Sequence, residues 1–284
     1  MKCKDFLENT SEPDCFEHCQ SLRPALNASF ARLNIVANQG KFIMHYYFIT
    51  GTSFGLGKAI AEALLQRQDV FVYGISRTSS ISHTHYKHVF ADLSNPSQLS
   101  SIIELFEASF TNQDSLYLIN NAGVIDPIKY LGDFTAEEIL LLMHVNLISP
   151  IQLMNAFLKI PQGVKRRIVI NVSSGAASKV TDGWSLYGSS KAALDHASLH
   201  AAKEMELNST ANIHIFSVAP GVIDTLMQAK IRAVSKHSFS MVDRFIDLHE
   251  TNALDTPEQV AQKYLKILDV PQEFPKVVFS AREI

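Results

Sequence analysis

The apolar positions of this chain fall in short, nearly unbroken blocks separated by amphipathic stretches. The blocks are His45-Tyr-Tyr-Phe-Ile-Thr50, Val70-Phe-Val-Tyr-Gly-Ile-Ser76, Lys87-His-Val-Phe-Ala91, Leu116-Tyr-Leu-Ile119, Ile168-Val-Ile-Asn-Val172, Ile213-His-Ile-Phe-Ser-Val218 and Lys276-Val-Val-Phe279. Runs this short, rich in β-branched and aromatic residues, read as strands covered on both faces. Between them, residues 58–67, 96–110, 134–159, 184–207 and 256–268 carry apolar residues at helical spacing. Strand alternating with helix predicts an α/β fold: a Rossmann-like, doubly wound parallel sheet of about seven strands, with helices on both faces, in a single domain. Pro150 is expected to kink or bound the helix over 134–159. Pro257 and Glu258 suit the start of the last helix. After the strand at 213–218 the pattern turns irregular, with Met227, Phe239, Met241 and Phe245. Following a strand's carboxyl end, residues of about 225–251 read as a substrate lid.

Residues 1–43 show no sustained period and are expected to be a poorly ordered N-terminal extension ahead of a catalytic domain at 44–284. Met44 stands directly before the first strand, so it is read as the natural start and 1–43 as an upstream-translated or accessory segment. Acidic residues and the lack of an apolar core argue against a secretory signal or transit peptide. The three cysteines, Cys3, Cys15 and Cys19, all lie in this segment. An odd number, with none in the body, argues against a disulfide framework and for a reducing, cytoplasmic setting. The spacing Cys15-Phe-Glu-His-Cys19 matches no standard zinc pattern, and no metal is expected.

Composition narrows the partners. With 46% hydrophobic and 19% charged residues in 284, the chain has the make-up of a soluble globular protein with a large core. A net charge of −3 gives no electrostatic case for nucleic acid or an anionic membrane. No apolar run approaches the ~20 residues needed to span a bilayer.

Candidate chemistry collects at the ends of the strands. The first strand runs into Gly51-Thr-Ser-Phe-Gly55-Leu-Gly57 and then a helix. Glycines at such a turn let the backbone approach a pyrophosphate that the helix N-terminus stabilises. Gly51, Ser53, Phe54, Gly55, Leu56 and Gly57 are therefore candidate cofactor contacts, although tight turns need glycine too. At the end of the second strand, where an NAD site places an acid, stand Ser76 and Arg77. A guanidinium suits a 2′-phosphate, so NADP(H) is preferred and NAD(H) possible; the alternative is a solvated loop cation. Asp92, followed by Leu93, sits where it would hydrogen-bond an adenine or cap the next helix. Small residues in Asn120-Asn121-Ala122-Gly123 would let a cofactor pass close, and the Asn side chains would tie the loop together. Asn146, a poor helix former inside a helix, suggests a hydrogen-bonding role. Tyr187 and Lys191, spaced i, i+4, share one face of the helix over 184–207. A lysine cation beside a phenol lowers its pKa, and Ser174 on the preceding turn would hold a substrate oxygen, a set suited to acid–base chemistry on a carbonyl or alcohol. The alanines at 192, 193, 197, 201 and 202 give this helix a small-residue surface for close packing, including across a subunit interface.

From about residue 45 onward the chain resembles the short-chain dehydrogenase/reductase family. The matches are Thr50-Gly-x-x-x-Gly55-x-Gly57, Asn120-Asn-Ala-Gly123, Asn146, Ser174, Tyr187-x-x-x-Lys191 and Pro220-Gly221, in that order. The resemblance implies that Tyr187 is the acid/base, that Lys191 lowers its pKa and holds the nicotinamide ribose, and that Ser174 orients the carbonyl with Ser173 in support. It also implies that Asn146 positions a water in a proton relay, that Thr225 contacts the carboxamide, with Pro220, Gly221, Val222 and Ile223 lining the same turn, and that Asp92 meets the adenine. Gly74-Ile-Ser-Arg77 and Pro220-Gly-Val-Ile-Asp-Thr225 with Met227-Gln228 look like the sepiapterin reductase and benzil reductase branch, whose members reduce carbonyls, often 1,2-dicarbonyls, with NADPH. The tail Phe279-Ser-Ala-Arg-Glu-Ile284 departs from sepiapterin reductases in lacking their pterin-anchoring aspartate. The expected activity is an NADPH-dependent carbonyl reductase acting on a small-molecule carbonyl or alcohol, as a homodimer or homotetramer. An NAD(P)-dependent alcohol dehydrogenase running oxidatively, and a dinucleotide-sensing regulatory protein on the same fold, are the alternatives.

Overall fold

A computed structural model describes residues 43–106, 110–111, 113–160, 163–208 and 212–284. The extension expected at the N-terminus, with its three cysteines, lies outside these residues except for position 43.

Seven parallel strands form one sheet: β1 (His45–Thr50), β2 (Val70–Ser76), β3 (Tyr86–Phe90), β4 (Ser115–Asn120), β5 (Arg166–Val172), β6 (Ile213–Ala219) and β7 (Val278–Ser280). Their order is β3-β2-β1-β4-β5-β6-β7. The order reverses between β1 and β4, which opens a crevice at the carboxyl ends of the strands. β2 and β4 are buried along their whole length, so their sequences read as solid apolar runs without alternation.

The helices are α1 (Gly55–Leu64), α2 (Leu99–Phe106), α3 (Ala136–Met143), α4 (Ser149–Leu158), α5 (Ser185–Leu207), α6 (Leu226–Arg232), α7 (Val242–Glu250) and α8 (Pro257–Asp269). α1 and α8 cover one face of the sheet, packing Ile60, Leu64, Val260 and Tyr264 onto Tyr47, Ile49 and Ile170. α2 and α4 cover the other, setting Ile102, Phe106, Leu153 and Phe157 against Phe48, Leu116 and Leu118. Capping boxes start α3 at Thr135 with Glu138 and α8 at Thr256 with Gln259.

The structure corrects three expectations. The helix expected over 134–159 is two helices joined by a π-turn, His144–Ile148. The extra residue breaks the α ladder ahead of Pro150, which sits in the first turn of α4 and so stands at a helix boundary, as expected of it. The run Ala136–Leu158, 23 residues with mean hydropathy 1.5, is also long and apolar enough by length and composition to cross a bilayer. His144, Asn146 and Ser149 interrupt its apolar blocks, which is why no single run announces that length. Its inner side is core: Leu142, Leu153, Met154 and Phe157 are buried. The segment expected to form a lid, finally, is not irregular. It consists of α6 and α7, each too short to establish a period, joined by a mixed stretch at 233–241 whose Phe239 is fully buried.

Candidate active site

The strand ends surround one cleft of about 680 Å³. Its floor is the glycine turn after β1. At Gly57 an added Cβ would lie 2.3 Å from the Asn121 side chain and 2.5 Å from the Gly51 carbonyl, so only glycine fits. Asn121 donates from Nδ2 to the Thr50 and Gly51 carbonyls at 2.9 and 3.2 Å, while Thr50 Oγ1 accepts from the backbone N–H groups of Asn121 and Ala122 at 3.0 Å each. Asn120 donates to Asn171 Oδ1 at 2.8 Å. The Asn121 bonds brace the β1 and β4 ends against each other and the Asn120 bond ties β4 to β5, as the two asparagines suggested.

Ser53, Phe54, Gly55, Leu56, Ser76, Arg77, Asp92, Leu93, Ala122 and Gly123 line the same cleft, with Pro220, Gly221, Val222, Ile223 and Thr225 on the opposite wall. Arg77 is exposed and, among the described residues, has no ion pair. Asp92 does not cap the next helical turn, which Asn95 caps; its Oδ1 accepts from Ser94 N and Oγ at 2.9 and 2.8 Å in a local turn, and these bonds lower its pKa. The glycine cradle, the helix N-terminus above it and the free guanidinium form a donor set that fits a dinucleotide with its phosphates.

At the inner end, β5 and α5 bring Ser174, Tyr187 and Lys191 together. Tyr187 is buried, and Lys191 is 4% exposed. Lys191 Nζ donates to the Val172 carbonyl at 2.8 Å. Burial pulls the Lys191 pKa down to about 8, and the Asp195 carboxylate opposes that fall. The tuning of Tyr187 differs from the sequence expectation. Burial raises its pKa, and the hydroxyl that opposes the rise belongs to Ser174.

Asn146, fully buried in the π-turn, clasps the Val124 backbone, accepting from its N–H and donating to its carbonyl at 2.8 Å each. It also donates to Ser190 Oγ at 3.2 Å. A Cβ at Gly123 would lie 3.4 Å from Asn146 Oδ1 and 3.5 Å from Lys191 Nζ, so both groups close on the loop the cofactor would pass. Ser173, beside Ser174, is buried, and its hydroxyl has no hydrogen-bond partner among the described residues.

Sequence reasoning missed two features of the site. Asp195, one turn beyond Lys191, accepts from Ser217 Oγ at 2.6 Å and faces the cleft; its i+4 spacing from Lys191 was the available signal. Trp184 stacks on Phe239 at 5.1 Å between ring centroids and meets Tyr187 edge-on at 5.9 Å. It joins Phe239 to Tyr187, and a lone tryptophan carries no mark of that in sequence.

A family model described as short chain dehydrogenase matches residues 45–236. The chain belongs to the short-chain dehydrogenase family. As a member, it is an oxidoreductase that uses NAD(P)(H) on carbonyl or alcohol groups. It is 36% identical over 244 residues to a benzil reductase ((S)-benzoin forming) of Bacillus cereus, covering 82% of this chain and 97% of that one. It is 37% identical over 233 residues to the Bacillus subtilis (strain 168) protein of the same name, covering 80% and 94%. The crystal structure of KRED1-Pglu enzyme superposes with a TM-score of 0.70 at 34% identity, covering 79% of this short-chain dehydrogenase and 94% of that chain.

Proposed function

We propose that this protein is an NADPH-dependent carbonyl reductase acting on apolar ketones and 1,2-diketones, with Tyr187 as the general acid. The observation that carries this reading is the convergence of Ser174, Tyr187 and Lys191 at the inner end of the one cleft that the glycine turn and Arg77 also line. A phenol, with an ordinary pKa of about 10, is protonated at neutral pH and can give that proton to a carbonyl oxygen held beside it, as reduction requires. Likeness to two benzil reductases supports the substrate class.

NADPH supplies a hydride to the carbonyl carbon when bound. The Ser174 hydroxyl donates a hydrogen bond to the carbonyl oxygen and fixes its position. Tyr187 gives its phenolic proton to that oxygen, so the carbonyl becomes an alcohol. Lys191, titrating at about 8, is matched to return a proton to the phenolate. Gly51, Gly55 and Gly57 would hold the pyrophosphate, Ser76 and Arg77 the 2′-phosphate, and Lys191 and Thr225 the nicotinamide half. Ile125, Val145, Trp184, Met227, Ile231 and Phe245 line the substrate end and exclude water. A homodimer or homotetramer is part of the same reading.

The test is consumption of NADPH and of NADH by the purified protein with benzil and simple aryl ketones. Turnover is expected with NADPH favoured, and Tyr187→Phe is expected to lose about 10²–10⁴ of it while still binding NADPH by fluorescence. A Tyr187→Phe variant that keeps full turnover would remove Tyr187 as the acid. Wild-type protein without turnover would remove carbonyl reduction.

A further inference from the structure

The lid carries one side chain that an apolar cover does not need. Gln228, on α6, is 6% exposed, and among the described residues of 225–251 it is the only polar side chain that is buried. Its Oε1 has no hydrogen-bond partner, and the residue lines the cleft. A buried amide left unpaired is costly, and a leucine or methionine here would avoid that cost. Buried polar groups in native proteins are nearly always satisfied, so an orphan on a cleft wall points to a partner that arrives with the ligand.

The direction of the amide follows from the helix. Gln228 and Ile231, spaced i, i+3, are the two buried residues of α6 and share its inner face. Ile231 belongs to the same apolar cluster as Tyr187, Ile125 and Phe245. The amide is therefore a polar group on the inner, cleft-lining face of α6, one turn from Ile231 of that cluster.

We infer that Gln228 hydrogen-bonds a second oxygen of the substrate, on the carbon next to the one reduced, and so selects 1,2-dicarbonyls over simple ketones. Turning about its last side-chain bond, the amide presents either an N–H to a spectator carbonyl or its oxygen to a hydroxyl. A site built around such a bond disfavours analogues that lack the oxygen, because the amide then stays unpaired. This inference rests on the proposed carbonyl reduction. It adds a specificity-determining contact that is separate from the transfer of hydride and proton.

The test compares benzil with benzyl phenyl ketone, which has the same skeleton with one carbonyl replaced by methylene. Each is assayed with NADPH on wild-type protein and on Gln228→Met, a side chain of similar length without the amide. The ratio of kcat/KM for benzil to that for the monoketone is expected to fall about tenfold in the variant, the worth of one hydrogen bond, mainly through the KM for benzil. The thermal midpoint is expected to hold or rise, since the orphan is gone. Equal loss on both ketones with a lower midpoint would mean a structural role and overturn the inference. An unchanged ratio would overturn it as well, with carbonyl reduction intact. Wild-type protein that reduces neither ketone would remove the underlying activity and the inference with it.

Discussion

Lys191 shows how far a spacing can be read and where reading stops. The i, i+4 interval placed Tyr187 and Lys191 on one helix face, and they are there. The protonation states were not legible, because burial is a tertiary property and it reverses the sign of the expected shift on Tyr187. The same burial sets a measurable consequence for Lys191, whose charge is lost above about pH 8. If that ammonium holds the cofactor ribose, kcat/KM for NADPH, which reports the free enzyme, falls on the alkaline side with an apparent pKa of about 8. Asp195 raises the lysine pKa, so Asp195→Asn is expected to move this limb to lower pH. A steady-state pH profile of both proteins checks it, and a limb that is absent, or that moves upward in the variant, rejects the assignment.

At the scale of elements, legibility followed length and burial. The strands from β1 to β6 lie within about a residue or two of their apolar blocks, because a strand covered on both faces leaves a solid run. The π-turn left no trace, since one inserted residue does not disturb hydropathy. The helices α6 and α7 were missed for a different reason: nine residues or fewer per helix do not establish a period. Their attachment depends on a residue outside them. Asp182 accepts from Ser240 N at 2.7 Å, from Ser240 Oγ at 2.8 Å and from the Tyr130 hydroxyl at 3.0 Å, fastening the 233–241 connection to the start of α5. These donors hold the Asp182 pKa below its ordinary value. A depressed carboxylate contributes its stability above its unfolded pKa and loses it as pH falls through the folded one, so the fastening weakens in acid. Asp182→Ala is expected to speed proteolytic cleavage within 233–241 at neutral pH and to raise the ketone KM severalfold, about the effect of losing one net hydrogen bond. Cleavage at the wild-type rate would show that the Trp184–Phe239 stack alone suffices.

For the whole molecule, the sheet and its two helical layers account for the inner faces of α3, α4 and α5 but not for their outer ones. Leu140 and Leu141 on α3, Ile148 in the π-turn, and Leu199 and Leu207 on α5 are exposed, Leu140 at 68% and Leu207 at 70%. α3 and α5 pack against each other, so these side chains fall on neighbouring helices. Single exposed leucines need no explanation, whereas several on adjacent helices mark an association surface. The small-residue surface of α5, with Ala193 and Ala197, would let a second copy approach closely. This is the face on which the proposed homo-oligomer would close, by a two-fold contact in which the same patch meets itself. Because Leu141 also lines the cleft, such a contact would lie beside the substrate entrance. Charges at Leu140 and Leu199 would repel their own copies across the two-fold axis and leave the core untouched. Leu140→Glu with Leu199→Glu is therefore expected to convert the assembly to monomer in sedimentation velocity, with the sheet's circular dichroism unchanged. An oligomer that survives both substitutions would place the interface elsewhere, and a wild-type protein that sediments as a monomer would leave these helices without a partner of their own kind.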